Sequence, residues 1–259
     1  MDYGLKGQTA IVTGGSRGIG KAIVKALLEE GVTVMVGSRT QEQIEETVKE
    51  LSSLGTVYGY PLDVSQRESV QEFVQETLNR CKKIDILVNC AGVNRRLPAD
   101  SYPEEEWLRI IDINLNGVYR MTQEVGKVMI EQKSGNIVSI TSLMSHTVVP
   151  NQSPYVASKS ALAQYTKLLA VEWAKYNIRV NAVSPGYIET PLTSASFKDP
   201  VYREKILEKT PMRRFGKTEE VADAVTFLVS KRASFITGHI LAVDGGFLAG
   251  HPQIMPPNA

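Results

Sequence analysis

Cysteine, tryptophan and long apolar runs are what this 259-residue chain has least of. Its two cysteines, Cys81 and Cys90, show neither a CxxC spacing nor a clustering with histidine, which excludes a disulfide scaffold and a zinc motif and fits a reducing compartment. Both read as ordinary buried thiols. No apolar run approaches the roughly 18 residues of a membrane span, and the opening residues MDYGLKGQTAIV lack the basic, apolar and small-residue succession of a secretory leader. The closing PPNA is no retention or peroxisomal address, so a soluble cytoplasmic protein is expected. Excess charge of one sign is missing too. With 29 basic against 28 acidic side chains the formal net charge is +1, so no global field draws the molecule to nucleic acid or an anionic membrane. Any anion it binds must be held by a local site.

What is present is alternation. Short β-rich runs at Thr9–Thr13, Thr33–Val36, Thr56–Tyr60, Ile84–Val88, Asn136–Thr141, Ile178–Val183 and Ile240–Val243 read as strands. Between them Gly20–Glu30, Gln41–Leu54, Glu68–Arg80 and Tyr155–Tyr176 carry apolar residues at helical spacing. Runs such as Ala10–Val12 and Ile86–Val88 lack the polar alternation of a one-sided sheet, which suits parallel strands covered on both faces. The expected fold is α/β, a single doubly wound Rossmann-type domain over 1–259 with about seven parallel strands. The rhythm fails over Pro185–Gly216, a polar stretch that reads as a substrate-loop insertion or lid. The tail from His251 to Ala259 holds three prolines and reads as a frayed end.

Thr13-Gly14-Gly15-Ser16-Arg17-Gly18-Ile19-Gly20 follows the first strand and opens the first helix. Glycines at such a turn let backbone N–H groups approach a pyrophosphate at a helix N-terminus, and a tight turn with no ligand would use the same residues. In dinucleotide folds an acid roughly 20 residues further on accepts from the ribose 2′-hydroxyl. Here Val36-Gly37-Ser38-Arg39-Thr40 ends the second strand, and no acid occurs from Gly31 to Gln41. Arg39 and Arg17 would each give a 2′-phosphate charge-assisted bonds of about 1.5–3 kcal/mol, which points to NADP(H). As plain surface cations they would carry no such meaning. Asp63-Val64 ends the third strand and Asn89-Cys90-Ala91-Gly92 the fourth, at the carboxyl edge where open α/β sheets bind ligands.

Tyr155 and Lys159 are four apart on the longest helical segment and share a face. A tyrosine must drop roughly three pKa units, about 4 kcal/mol, to exchange a proton near neutrality, and a neighbouring ammonium favours its phenolate. Ser142, at the end of the fifth strand, brings a hydroxyl to the same edge.

Together, Thr13–Gly20, Asn89–Gly92, Asn114, Ser142, Tyr155-x-x-x-Lys159 and Pro185-Gly186-x-x-x-Thr190 resemble the motif set of the short-chain dehydrogenase/reductase family, from about Leu5 to Gly246. The resemblance implies that Tyr155 exchanges the proton, Lys159 lowers its pKa and holds the nicotinamide ribose, and Ser142 positions the substrate oxygen. It implies that Asn114 holds a water joining Lys159 to solvent. It further implies cofactor contacts from Gly14, Ser16, Arg17, Gly18, Ile19, Gly20, Ser38, Arg39, Asp63, Val64, Asn89, Ala91, Gly92, Pro185, Gly186, Ile188 and Thr190, with no metal. Family members usually form tetramers, so a homotetramer is expected. Cys90 departs from the family's more usual asparagine.

Arg95 and Arg96 follow Gly92 at the mouth of the expected crevice, where an arginine would pair bidentately with a carboxylate. The pair reads equally as solvated loop cations or a subunit contact. Ala91–Pro98, Pro150-Asn151 and Phe197–Pro200 resemble the branch of gluconate 5-dehydrogenases and 2-deoxygluconate 3-dehydrogenases. That resemblance implies a sugar-acid substrate. His146 and Asn151 lie between Ser142 and Tyr155, in a loop expected to run past it. A 3-oxoacyl thioester reductase, with Arg213 and Arg214 as a carrier-docking patch, is the alternative enzyme. A nucleotide-sensing scaffold is the remote third reading, since fold alone does not prove function.

Overall fold

β-branched and aliphatic runs form the strands: β1 (Thr9–Thr13), β2 (Thr33–Ser38), β3 (Val57–Pro61), β4 (Ile86–Asn89), β5 (Gly135–Ile140), β6 (Ile178–Pro185) and β7 (Ile240–Val243). The helices are α1 (Gly18–Glu29), α2 (Gln41–Leu51), α3 (Arg67–Cys81), α4 (Glu104–Ile111), α5 (Gly117–Gln132), α6 (Ser153–Trp173), α7 (Ser194–Phe197), α8 (Pro200–Lys209) and α9 (Thr218–Val229). This is a computed structural model, and it describes residues 2–191 and 193–250. The proline-bearing tail lies outside the described residues.

All seven strands pair in parallel, in the order β3-β2-β1-β4-β5-β6-β7. The chain builds outward from β1 through β2 to β3, then returns to place β4 on the other side of β1. That reversal opens a crevice between the carboxyl ends of β1 and β4, the position where doubly wound sheets bind ligands. Because successive strand residues point to opposite faces, β1 divides its core: Ala10 and Val12 pack with α1 and α9, whereas Ile11 packs with α3, α5 and α6. Both faces are thus covered, and the strands carry continuous apolar runs.

Several expectations need correction. Pro185–Gly216, read as a substrate-loop insertion or lid, is partly helical. It carries α7 and α8, seated on a small apolar cluster of Phe197, Ile206 and Phe215. Two helices that periodicity did not single out, α4 and α5, are joined by a π-helical turn at Asp112–Asn116. Neither cysteine is fully buried: Cys81 ends α3 beside the left-handed Lys82, and Cys90 emerges from β4 at the sheet edge. Trp173 is buried among the α3, α5 and α6 side chains, but Trp107 on α4 is partly exposed.

Candidate active site

A cavity of about 420 Å³ opens along the carboxyl ends of the central strands. At one end the β1–α1 turn forms its floor. Gly14 has φ +66°, and a Cβ there would stand 2.9 Å from the Ala91 Cα; a Cβ on Gly20 would collide with the Gly14 carbonyl. Glycine is therefore required for the turn to close against the β4 loop. The Thr13 hydroxyl stitches that loop down by accepting from the Cys90 and Ala91 N–H groups, both at 3.1 Å.

Arg17 and Arg39 are exposed side chains on the cavity wall, and Ser38 lies between them, joined to Ser16 by an Oγ–Oγ bond of 2.9 Å. Thr47 on α2 donates to the Ser16 carbonyl at 3.1 Å, and Gln43 joins the wall. Asp63 is the one carboxylate among the described lining residues. Its Oδ1 accepts from the Ser65 N–H and hydroxyl at 2.9 and 2.7 Å.

At the other end lie Ser142, Tyr155 and Lys159. Ser142 caps the turn after β5 by accepting from the Met144 N–H at 3.2 Å. The first turn of α6 presents Tyr155, and Lys159 follows one turn later. Lys159 Nζ donates to the Ile140 carbonyl at 2.7 Å and lies 5.7 Å from the centroid of the Tyr155 ring. Burial draws the Lys159 ammonium down to about 8. Burial pushes the Tyr155 phenol up; the Ser142 hydroxyl and the Arg96 charge oppose it, and Cys90 adds to it. This corrects the expected lowering by Lys159. The ammonium is directed at a carbonyl and over the ring, so desolvation of the phenol prevails.

A family model described as enoyl-(acyl carrier protein) reductase matches residues 14–248. The chain is 40% identical to a 3-oxoacyl-[acyl-carrier-protein] reductase of Thermotoga maritima, over 94% of this chain and 99% of that one. It is 38% identical to a 2-dehydro-3-deoxy-D-gluconate 5-dehydrogenase of Bacillus subtilis, over 95% and 97%. A gluconate 5-dehydrogenase from Burkholderia cenocepacia, solved with NADP and tartrate, superposes with a TM-score of 0.91 at 32% identity, covering 96% of this chain and 98% of that one. The chain belongs to the short-chain dehydrogenase/reductase family.

Within this dehydrogenase/reductase, most residues named from the sequence line one cavity, from Gly14 through Ser38 and Gly92 to Thr190. Six do not. Asn89 is buried beneath the floor, its Nδ2 directed to Thr122 and Ser139. Asn114 is also fully buried. Its Oδ1 accepts from the Val93 N–H at 2.8 Å and its Nδ2 donates to the Val93 carbonyl at 2.9 Å, so the side chain clamps the loop after β4. His146 and Asn151 are exposed on the loop before α6, outside the walls. Asn151 adopts a left-handed φ of +67° and offers its carbonyl to the Leu97 N–H.

The two arginines diverge. Arg95 turns to α4 and pairs with Glu106 at 3.4 Å. The guanidinium of Arg96 lies over the ring of Tyr202 on α8. Sequence reasoning left Gln43, Tyr187 and Tyr202 unassigned. Gln43 adjoins a recognisable signal, but no local signal marks Tyr202, which meets Arg96 only through the fold. Arg214 is held by Glu220 in a two-pronged pair of 2.9 and 2.6 Å. Of the expected carrier patch only Arg213 lacks such a carboxylate pairing among the described contacts.

Proposed function

We propose that the protein is an NADP(H)-dependent oxidoreductase that interconverts a hydroxyl and a ketone on a sugar acid, with gluconate and 5-ketogluconate as the leading pair. The observation that carries the reading is Arg96, a cation four residues past Gly92, which lines the cavity and whose added Cβ would stand 3.7 Å from Lys159 Nζ. An electrically balanced protein with an arginine on the loop that leaves this end of the cavity suits an anionic substrate. The relatives that act on gluconate derivatives, and the neighbour that holds tartrate, support the same class.

The walls fit NADP. The missing Cβ of Gly14 leaves room for backbone approach, and the exposed Arg17 and Arg39 line the same cavity as Ser38, with Asp63 the one carboxylate among the described lining residues. These arginines would hold the 2′-phosphate, Asp63 and Val64 the adenine, Ala91 and Gly92 the neighbouring ribose, and Ile188 and Thr190 the nicotinamide side. The nicotinamide supplies or accepts the hydride. Ser142 donates to the substrate oxygen and fixes it against Tyr155, which delivers the proton in reduction and takes it in oxidation. Lys159 would bind the ribose. Asn114 keeps the loop at Val93 in register with this group. The protein acts as a cytoplasmic homotetramer.

The test follows nicotinamide absorbance with NADPH or NADH, and with 5-ketogluconate or an acetoacetyl thioester. NADPH oxidation by the keto acid is expected, with KM raised in Arg96→Ala and less affected in Arg95→Ala. Tyr155→Phe should lose about 10²–10⁴ in turnover while still binding NADPH. Turnover of the thioester alone would replace the substrate reading with the acyl-carrier one, which the 40% identity to an enzyme of that class favours. Retained function in Tyr155→Phe would instead support a scaffold.

A further inference from the structure

Outside the described lining of the cavity, α8 presents Tyr202, and the Arg96 guanidinium carbon lies 5.3 Å from the centroid of its ring. Tyr202 is fixed from its own side. Asp199 caps α8 by accepting from the Val201 and Tyr202 N–H groups at 2.9 and 3.1 Å, and the ring packs onto the Phe197, Ile206 and Phe215 cluster. Arg96 is fixed from the other side. The Leu97 N–H donates to the Asn151 carbonyl at 3.0 Å and Asn94 Nδ2 to Gln152 Oε1 at 2.6 Å, which ties the arginine-bearing loop to the start of α6, three residues before Tyr155.

Arg96 is not a free cation, for it has contacts beyond this ring. A guanidinium seated on an aromatic face is held by that face, while its N–H groups bond outward in the guanidinium plane. Gly92 and Val93, at the start of the same loop, line the cavity, and a Cβ on Gly92 would stand 3.7 Å from Lys159 Nζ, so the loop runs from the reacting end to Arg96 against α8. Arg95 is turned away, onto Glu106 of α4. The double arginine therefore divides its work between two helices.

We infer that Tyr202 is a specificity-determining residue, which seats Arg96 at the position where the carboxylate of a sugar acid is read. Because Tyr202 belongs to α8, the acid is recognised with α8 in place. Tyr202 touches Arg96 and not the reacting atoms, so it is a positioning residue. The inference rests on the sugar-acid reading.

The experiment is calorimetry on the NADPH-loaded protein, titrated with D-gluconate and with its uncharged counterpart D-gluconamide; no turnover follows, since cofactor and sugar are both reduced. Tyr202→Leu is expected to weaken D-gluconate binding by up to about tenfold, as loss of a partly desolvated cation–aromatic contact implies, and D-gluconamide by less than about twofold. Tyr202→Phe, which keeps the ring, should restore the preference for the acid. NADPH affinity should be unchanged in both variants, which certifies the fold. Equal losses for acid and amide, or unaltered D-gluconate binding in Tyr202→Leu, would overturn the inference. A native protein that binds neither sugar but reduces the thioester would remove the sugar-acid reading itself, and the inference with it.

Discussion

Lys159 is an ammonium held where water barely reaches it, 5% exposed, donating to the Ile140 carbonyl at 2.7 Å. Burial has drawn it to about 8 from an ordinary 10.5. The consequence for stability has a definite sign. Between those two values the unfolded chain binds a proton that the folded chain has released, so this residue adds stability as pH rises from 7 to 10. Relative to Lys159→Met, which removes the titration, the native protein should gain about 2 kcal/mol over that range. Denaturant unfolding of the two proteins at pH 7, 8.5 and 10 measures it, and a constant difference would refute the burial argument. Tyr155 and Lys159 were legible in the sequence because both lie on one helix, where a spacing of four guarantees a shared face. Arg96 and Tyr202 were not, since their meeting depends on two loops and a helix that come together only in three dimensions. Asn114 was legible as a residue but not in its placement. Its carboxamide bonds both backbone groups of Val93, its Nδ2 also reaches the Ser158 hydroxyl at 3.4 Å, and the cavity wall is left to others.

At the scale of elements, the strands were readable because β-branched runs are short and bounded by glycine, and β2 and β6 merely extend two residues further than expected, to Ser38 and Pro185. The α4–α5 pair escaped because the π-helical turn at Asp112–Asn116 inserts an extra residue, which shifts the apolar face and breaks the 3.6-residue period across the junction. Pro185–Gly216 escaped for another reason. α7 and α8 are short, and their apolar side chains cover a local aromatic cluster, where Phe197 and Phe215 stack at 4.0 Å, rather than the sheet. One element depends on a single residue that no motif announced. Arg179 on β6 donates to the Leu228 carbonyl at 2.7 Å, the Ser230 carbonyl at 3.0 Å and the Ile236 carbonyl at 3.2 Å, satisfying the carboxyl end of α9 and the turn beyond it. A cation there also complements the negative end of the helix dipole. Arg179→Met fills the space but leaves the Leu228 carbonyl without its partner, whereas the Ser230 and Ile236 carbonyls keep the Ala233 N–H at 3.2 Å and Asn181 Nδ2 at 2.9 Å, so it should cost about 1–3 kcal/mol and lower the thermal midpoint by about 2–10 °C. Differential scanning calorimetry checks this, with turnover per folded molecule expected within twofold of native because Arg179 lies outside the cavity. An unchanged midpoint would mean that water satisfies that carbonyl unaided.

For the whole molecule, the described surface leaves apolar side chains where a monomer gains nothing from them. Val171 is 81% exposed and Leu168 51% exposed on α6, and Tyr119 on the neighbouring α5 is 42% exposed. α6 has its other face in the core, through Leu162, Leu169 and Trp173, so the helix is apolar on two sides. A helix that is hydrophobic well beyond one stripe is a helix with a second partner. α6 also carries Tyr155 and Lys159, which would put assembly and catalysis on the same rigid element. A second copy packed on α5 and α6 would hold that helix from behind. Paired charges introduced there, Leu168→Glu with Val171→Glu, should convert a tetramer to smaller species, because each protomer would bury unpaired carboxylates at a self-complementary contact. Light scattering coupled to size exclusion reads the mass directly. A native mass of one chain at micromolar concentration would reject assembly altogether, and a tetramer that survives both glutamates would move the interface off this face. If the doubly substituted protein is smaller but still folded, its turnover tells whether the α6 site needs the second copy: a loss larger than the loss of NADPH binding would place that need at Tyr155 and Lys159 rather than at the cofactor.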